Sequence, residues 1–155
     1  MLRGVPTEIR PFVPTDTDEI LSLALRLTIG VADWRPASGV AAAAHGWLTS
    51  SLDSASEDHP VWVAEVDGRV VGVVTACARD HWSGERDAYV GELVVHEDHA
   101  GRGIGRALLS CAEDWARGRG FGRLRLETGE ANRKARAFYA RRGYVTEEVV
   151  LSKAL

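Results

Sequence analysis

A glycine-rich segment between a strand pattern and a helix pattern constrains this 155-residue chain more than any other feature. The segment reads Gly101-Arg102-Gly103-Ile104-Gly105-Arg106. It follows an apolar stretch over 88–95 that predicts a strand, and it opens a stretch over 103–118 whose apolar residues recur at helical spacing. Another strand pattern follows over 123–127. A strand, a helix and a second strand at these distances predict a βαβ crossover, so the two strands are expected to be parallel.

The same segment predicts a site for a phosphate group. Glycine at alternate positions lets the backbone approach a ligand closely and turn its amides toward it. The start of a helix adds free N–H groups and a partial positive charge, and Arg102 and Arg106 add full charges. The spacing G-x-G-x-G differs from the G-x-G-x-x-G of dinucleotide folds, and the Gly-Lys-Ser/Thr ending of a P-loop is absent. A turn that begins a helix and binds nothing is the alternative.

Hydrophobic periodicity and turn residues predict one mixed α/β domain over 1–155. The pair Asp67-Gly68 favours a type I′ hairpin between strands at Val61–Val66 and 69–76. Further strands are expected over 8–13, 88–95, 123–127 and 145–151, with Gly91 as a bulge inside the second of these. Helices are expected from Asp16, which is placed to cap the first, within 40–52, over 103–118 and over 132–142.

Charge is distributed unevenly along the chain. Residues 1–100 hold seven Lys and Arg against 16 Asp and Glu, whereas residues 101–155 hold 12 against six. The overall net charge of −3 argues against general binding of nucleic acid. The asymmetry indicates an anionic ligand in the second half and a cationic one met by the first, unless these charges are simply solvated helix faces.

Hydropathy and cysteine content predict the cellular compartment of the protein. No apolar run approaches the ~20 residues of a membrane span, so a membrane is not an expected partner. The first ten residues lack the apolar region of a secretory signal. Cys77 and Cys111 each lie in an apolar run and are expected to be reduced thiols of a cytoplasmic protein.

Several motifs in a fixed order resemble the GCN5-related N-acetyltransferase (GNAT) superfamily across most of residues 61–151. They are Glu92-Leu93-Val94-Val95, the glycine-rich segment continued by Ala107-Leu108-Leu109, Leu126-Glu127, Asn132, Ala135, Phe138-Tyr139 and Gly143-Tyr144. The resemblance implies a mixed, mostly antiparallel twisted sheet of about six to seven strands, with a parallel βαβ pair at its centre and about four flanking helices. It also implies transfer of an acetyl group from acetyl-CoA to a primary amine, without a metal. Ala100 departs from the pattern, because the family's loop usually opens with Gln or Arg.

The resemblance also implies roles for individual residues. Backbone groups of Leu93, Val94 and Val95 would bind the acetyl carbonyl and the pantetheine arm, in a gap where two strands splay apart. Amides from Gly101 to Arg106 would hold the pyrophosphate. Asn132 and Phe138 would contact the cofactor, and Tyr139 would protonate the departing thiolate. A purely structural role as a core aromatic is the alternative for Tyr139.

The chemistry of acetyl transfer requires a base and an oxyanion donor. The attacking amine must lose a proton, to a side chain or through water, and a strand amide at a bulge could stabilise the tetrahedral oxyanion. Glu92 and Glu127 are the two candidate bases, since acidic residues resembling both positions serve in related acetyltransferases. Water acting without a carboxylate stays open as well.

The acceptor is the least constrained part of the prediction. Carboxylates in the segments that commonly build the acceptor site favour a small cationic amine; they are Asp33, Asp53, Glu57, Asp58, Asp80, Glu85 and Asp87. Acetylation of a protein N-terminus or lysine, and a non-catalytic acyl-CoA-binding module, are the alternatives. His96 and His99 lack a third ligand, so no metal is expected. A strand over 145–151 would form an edge through which a homodimer could assemble.

Overall fold

A five-stranded sheet in the order β1-β2-β3-β4-β5 runs through the computed structural model, which describes residues 6–155. The strands are β1 (Glu8–Pro11), β2 (Val61–Val66), β3 (Arg69–Asp80), β4 (Arg86–Val95) and β5 (Leu124–Arg125). Neighbours from β1 to β4 are antiparallel, whereas β4 and β5 are parallel. This arrangement confirms the predicted crossover. Residues 1–5 of the expected 1–155 domain lie outside the described part.

Helices cover both faces of the sheet and enclose two apolar clusters. The helices are α1 (Thr17–Leu21), α2 (Ala37–Asp53), α3 (Ile104–Gly118) and α4 (Arg133–Arg141), with a 3-10 turn over Ala24–Thr28. On one face, α1 and α2 bury Ile20 and Leu48 against Val63 and Val73. On the other face, α3 buries Ile104, Leu108 and Ala112 against Ala64 and Val74. Partly buried side chains of α4 pack against this second cluster. The four expected helices are therefore present, in a mixed α/β arrangement.

The first helix is shorter than the sequence suggests, and Asp16 does not cap it. The helix spans only Thr17–Leu21, and its preceding residue makes no capping hydrogen bond. The Asp16 carboxylate instead accepts from the Arg10 guanidinium at 2.8 and 2.9 Å and from the Val13 amide at 2.9 Å. A charged guanidinium is a stronger donor than a helix amide, so the tertiary ion pair outcompetes the local cap.

Two predicted irregularities of the sheet are confirmed. Asp67 and Gly68 have φ of 52° and 74°, the left-handed pair that a type I′ turn requires. In the β3–β4 ladder the register shifts between Val74 and Ala76, so that Gly91 and Glu92 together oppose Thr75. A Cβ built on Gly91 would lie 2.7 Å from the Thr75 hydroxyl, which leaves room for glycine alone.

The predicted final strand is wrong. Residues 145–151 form no strand, and Val145, Val149, Val150 and Leu151 are between 73% and 95% exposed. The segment lacks strict alternation, because Glu147 and Glu148 are adjacent, and the Glu148 carboxylate accepts from the Trp82 indole at 3.0 Å. Strand β5 offers only two paired residues for it to join. The sheet therefore has five strands rather than six or seven, and the parallel pair lies at its edge rather than its centre.

Candidate active site

Strand β4 has an open edge beyond its short pairing with β5. The two strands pair only at Ala88–Leu124 and Tyr89–Arg125. On its other side β4 continues along β3, where the His96 amide donates to the Val71 carbonyl at 2.7 Å. Because hydrogen-bonded and non-hydrogen-bonded pairs alternate in an antiparallel ladder, the backbone groups of Val94 turn toward β3 and those of Leu93 and Val95 turn toward the open edge.

One of these edge groups already has a side-chain partner. The Arg26 Nε donates to the Val95 carbonyl at 2.7 Å, and the Arg26 guanidinium lies 3.8 Å from the Glu97 carboxylate. The 3-10 turn that carries Arg26 thus lies against the end of β4. An extended ligand could add to this edge as a further strand would, through the groups of Leu93 and the Val95 amide.

The glycine-rich loop turns free amides and two arginines toward solvent. Gly101 and Gly103 have φ of 75° and 84°, a conformation that favours glycine. Helix α3 starts at Ile104 without a side-chain cap, so the first amides of the helix have no intrahelical acceptor. Arg102 and Arg106 are exposed and form no ion pair within residues 6–155. This is the geometry and charge of an anion site at a helix N-terminus.

The Glu92 carboxylate is buried in a polar cluster at the β4 bulge. Glu92 is 6% exposed, and its Oε2 accepts from Ser51 Oγ of α2 at 2.8 Å and from Thr75 Oγ1 of β3. The Thr75 hydroxyl in turn accepts from the Glu92 amide at 3.0 Å. Burial raises the pKa of Glu92, while the two hydroxyl donors and the charge of Arg79 act against this rise. A carboxylate with a raised pKa is a stronger base.

The second candidate carboxylate, Glu127, occupies a different environment. Glu127 is exposed and lies near Tyr89. Burial and then the charge of Glu127 raise the pKa of Tyr89 to about 12. Beside them, Arg125 pairs with Asp87 at 2.8 Å. The structure therefore separates the two acidic residues, one buried among hydroxyls and one at the surface.

Tyr139 lies in an aromatic group that joins α4 to the open edge. Its ring meets those of Phe138 and Tyr144 edge to face, with centroids 5.2 and 5.6 Å apart. Burial raises the pKa of Tyr139 to about 12, so its phenol stays protonated at neutral pH. A Cβ on Gly105 would lie 4.0 Å from the Phe138 ring and 3.8 Å from the Val95 side chain. The glycine loop, the β4 edge and α4 thus converge at Phe138.

Asn132 begins α4. Its Oδ1 accepts from the Ala135 amide at 3.2 Å, which makes it the N-cap of that helix. The loop at Gly30 packs directly on this region, and a Cβ on Gly30 would overlap Asn132. Asn132 therefore fixes the start of the helix that carries Phe138 and Tyr139.

A cleft of about 180 Å³ opens beside Glu92. Its lining comes from the end of α2, the following loop and strands β2 to β4, and comprises Ser50, Ser51, Ser54, His59, Val61, Thr75, Ala76, Cys77, Arg79, Gly91 and Glu92. None of the seven carboxylates expected in an acceptor site is among these residues. Three of them pair with arginines elsewhere, as Asp58–Arg119, Asp80–Arg86 and Asp87–Arg125.

Sequence reasoning missed four residues of this region: Ser51, Thr75, Arg79 and Tyr89. Thr75 carried a weak signal, as a lone hydroxyl in an otherwise apolar strand pattern. Nothing in the sequence distinguishes Ser51, which reaches Glu92 from 41 residues away. Arg79 and Tyr89 meet only because β3 and β4 pair, which places the guanidinium 3.6 Å from the ring centroid.

The described residues provide neither a cluster of metal ligands nor a membrane-spanning helix. The described chain contains no group of three or more His, Cys, Asp or Glu side chains that could hold a metal ion. The His96 Nδ1 instead accepts from the Asp98 amide at 3.2 Å. Among the same residues, no helix has the length and apolar character needed to cross a membrane.

Comparison with known proteins relates the chain to acetyltransferases. The family model described as "Acetyltransferase (GNAT) family" matches residues 29–144. Aminoalkylphosphonate N-acetyltransferase of Salmonella typhimurium is 31% identical over 153 residues, which cover 96% of this chain and 91% of that protein. The protein named probable N-acetyltransferase camello, from Xenopus tropicalis, is 34% identical over 100 residues, covering 64% of this chain and 45% of that protein.

The relatives differ from this chain in length, and a solved acetyltransferase shares its fold. The chain spans less than half the length of several curated relatives that it matches. A solved GCN5-related N-acetyltransferase from Ralstonia eutropha superposes with a TM-score of 0.73 at 24% identity, over 97% of this chain and 99% of that one. At this identity the likeness establishes a shared fold.

Proposed function

The chain belongs to the acetyltransferase (GNAT) family, and on that premise we propose that it transfers the acetyl group of acetyl-CoA directly to a primary amine of a small acceptor. The observation that carries the proposal is the open edge of β4, which lies between the glycine-rich loop and the cleft at Glu92. A cofactor bound along that edge would bring its thioester close to the buried carboxylate.

The glycine-rich loop and the β4 edge supply the cofactor site. Amides at the start of α3, with Arg102 and Arg106, suit the pyrophosphate. Leu93 and Val95 offer backbone groups at the open edge for the pantetheine amides. The backbone groups of Val94 instead point toward β3. Phe138 and Asn132 border the same region from α4. Bound acetyl-CoA supplies the activated acetyl thioester.

Glu92 is the base in this proposal. The amine nitrogen forms a bond to the acetyl carbon, and its proton passes to Glu92 directly or through a water molecule. Glu92 is preferred over Glu127 because burial raises its pKa and because it lines the cleft, whereas Glu127 is exposed. A free backbone amide near the bulge, such as that of Leu93, stabilises the oxyanion.

Tyr139 completes the reaction as the proton donor. When the carbon–sulfur bond breaks, the thiolate takes a proton from a phenol that is protonated at neutral pH because burial raises the pKa of Tyr139 to about 12. The amine thereby becomes an amide and the thioester becomes a free thiol. No covalent intermediate with the protein is needed.

The cleft favours a small acceptor over a protein. Its volume of about 180 Å³ suits a small amine. The relative that matches almost the whole chain is named for a small amine, an aminoalkylphosphonate. A protein N-terminus or lysine is the alternative acceptor. A non-catalytic acyl-CoA-binding module is the alternative function.

Calorimetry followed by a turnover assay tests the proposal. Acetyl-CoA is expected to bind saturably, while NAD and ATP are not, and small amines are expected to release free thiol from acetyl-CoA. The Glu92→Gln variant is expected to bind acetyl-CoA as the wild type does but to turn over slowly. Absence of acetyl-CoA binding contradicts the proposed acetyl transfer. Binding without thiol release from any small amine or peptide supports the non-catalytic module instead.

A further inference from the structure

The cleft beside Glu92 contains an arginine without a carboxylate partner. Arg79 lies near the end of the β3–β4 ladder, opposite Asp87, and lines the cleft together with Glu92. It forms no ion pair or side-chain hydrogen bond within residues 6–155. The neighbouring arginines differ from it, since Arg86 pairs with Asp80 and Arg125 pairs with Asp87. Arg79 is therefore a cation of this face that makes no direct ion pair with a carboxylate of the described residues.

The exposed guanidinium of Arg79 packs on an aromatic ring. The Arg79 Cζ lies 3.6 Å from the centroid of the Tyr89 ring, and Tyr89 is buried in β4. Contact with the ring face holds the guanidinium through cation–π attraction and leaves the N–H groups at its edge free. Those groups match the spacing of two oxygens of a carboxylate or phosphonate. A guanidinium that is oriented by a ring and makes no direct ion pair is suited to bind an oxyanion.

Opposite charges thus share one small cleft. The Glu92 Oε2 is occupied by Ser51 and Thr75, and its Oε1 has no hydrogen bond from the described residues. That oxygen is available to an ammonium group. Arg79 is close enough for its charge to act on the pKa of Glu92. His59, together with Ser50 and Ser54, adds polar groups to the same lining.

We propose that the acceptor is a small amine that also carries an oxyanion, a carboxylate or a phosphonate, with the amine at Glu92 and the oxyanion on Arg79. The inference rests on the proposed acetyl transfer and specifies its substrate class. It also replaces the expectation of an acidic acceptor pocket, because Glu92 is the one carboxylate among the cleft residues that the structure describes.

Steady-state kinetics with matched amines test the inference. Thiol release from acetyl-CoA is measured with β-alanine, 2-aminoethylphosphonate and propylamine, using the wild type, Arg79→Gln and the control Arg86→Gln. Wild-type kcat/KM is expected to be higher for the two anionic amines than for propylamine. Arg79→Gln is expected to raise KM for the anionic amines by about tenfold to a hundredfold more than KM for propylamine, the effect of one charge-assisted hydrogen bond. Arg86→Gln is expected to change neither.

Each alternative outcome has a distinct meaning. A larger KM effect for the phosphonate or for the carboxylate identifies which oxyanion the site prefers. Equal use of propylamine and the anionic amines by the wild type overturns the inference, as does an equal loss for all three amines in Arg79→Gln. Turnover of other amines but of neither anionic one also overturns it, while leaving acetyl transfer intact. Failure of acetyl-CoA to bind in calorimetry contradicts the proposed function itself.

Discussion

The hydroxyl of Thr75 bonds to Glu92 twice, since it donates to the carboxylate Oε2 and accepts from the Glu92 amide at 3.0 Å. This double contact occurs at the bulge, where Gly91 and Glu92 together oppose Thr75. Ser51 reaches the same carboxylate oxygen from α2 at 2.8 Å. The Glu92 carboxylate is thus held by hydroxyls from two other elements of the fold, α2 and β3.

Gly91→Ala is expected to disturb the Glu92 cluster. The new Cβ would lie 2.7 Å from the Thr75 hydroxyl, and Thr75 is a buried β-branched residue with little room to move. We expect a loss of about 1–3 kcal/mol in the free energy of unfolding, as in overpacked cores, together with a lower kcat. Urea unfolding and thiol release measure the two effects. Gly46→Ala is the control, because no atom lies within 4 Å of its new Cβ on α2. Equal stability of the two variants would count against this packing.

Glu92→Gln is expected to change how stability depends on pH. Burial raises the folded-state pKa of Glu92, so as pH rises from acid the unfolded chain ionises first and the wild type loses stability until the folded-state pKa is passed. The glutamine variant has no charge to lose or gain. Its free energy of unfolding should therefore rise relative to the wild type between acid and neutral pH. Urea unfolding across this range measures the difference, and a difference that falls with pH contradicts the raised pKa.

Turnover separates the two candidate bases. Glu92→Gln is expected to lower kcat by about a hundredfold or more, the usual contribution of a general base. The matched variant Glu127→Gln is expected to keep most of the activity because Glu127 is exposed and outside the cleft lining. Both variants should bind acetyl-CoA with wild-type Kd by calorimetry. A larger loss of kcat in Glu127→Gln would transfer the role of base to that residue.

Two adjacent tyrosines should respond differently to the same substitution. Tyr139→Phe removes the proposed proton donor and is expected to lower kcat by about a hundredfold while Kd for acetyl-CoA is unchanged. Tyr144→Phe removes the hydrogen bond that its hydroxyl donates to Glu113 at 3.2 Å, and should lower the free energy of unfolding by about 1 kcal/mol while leaving kcat intact. Full activity of Tyr139→Phe would leave that residue with only its packing role.

Gly103→Ala is expected to weaken cofactor binding through backbone strain. Gly103 has φ of 84° and open space around it, so the cost is conformational, about 1–2 kcal/mol for a non-glycine residue in the left-handed region. The shifted first turn of α3 should raise Kd for acetyl-CoA in calorimetry. Gly118→Ala, at the other end of the same helix, should instead stabilise the protein by up to about 1 kcal/mol. Unchanged Kd in Gly103→Ala would argue against a cofactor role for this turn.

The parts of the fold that depend on short stretches of chain were predicted from the sequence. The Asp67-Gly68 turn, the Gly91 bulge and the strand–helix–strand crossover around the glycine-rich loop each follow from residue type and spacing over a few neighbours. Local backbone preference is sufficient there, because glycine permits conformations that other residues avoid. Failures of prediction arose where a competing partner came from elsewhere, as when Arg10 took the Asp16 carboxylate and Trp82 bonded to Glu148.

The site itself was decided between elements far apart in sequence. Glu92 and Glu127 were equivalent candidates until packing buried one among Ser51 and Thr75 and left the other exposed. Arg79 lies over the Tyr89 ring only because β3 and β4 pair. The sequence by itself determined where the backbone turns and where the glycine-rich loop opens a helix, because those properties are local. The tertiary structure alone decided which carboxylate is buried and which charges line the cleft, because burial and charge compensation depend on every element that packs around a side chain.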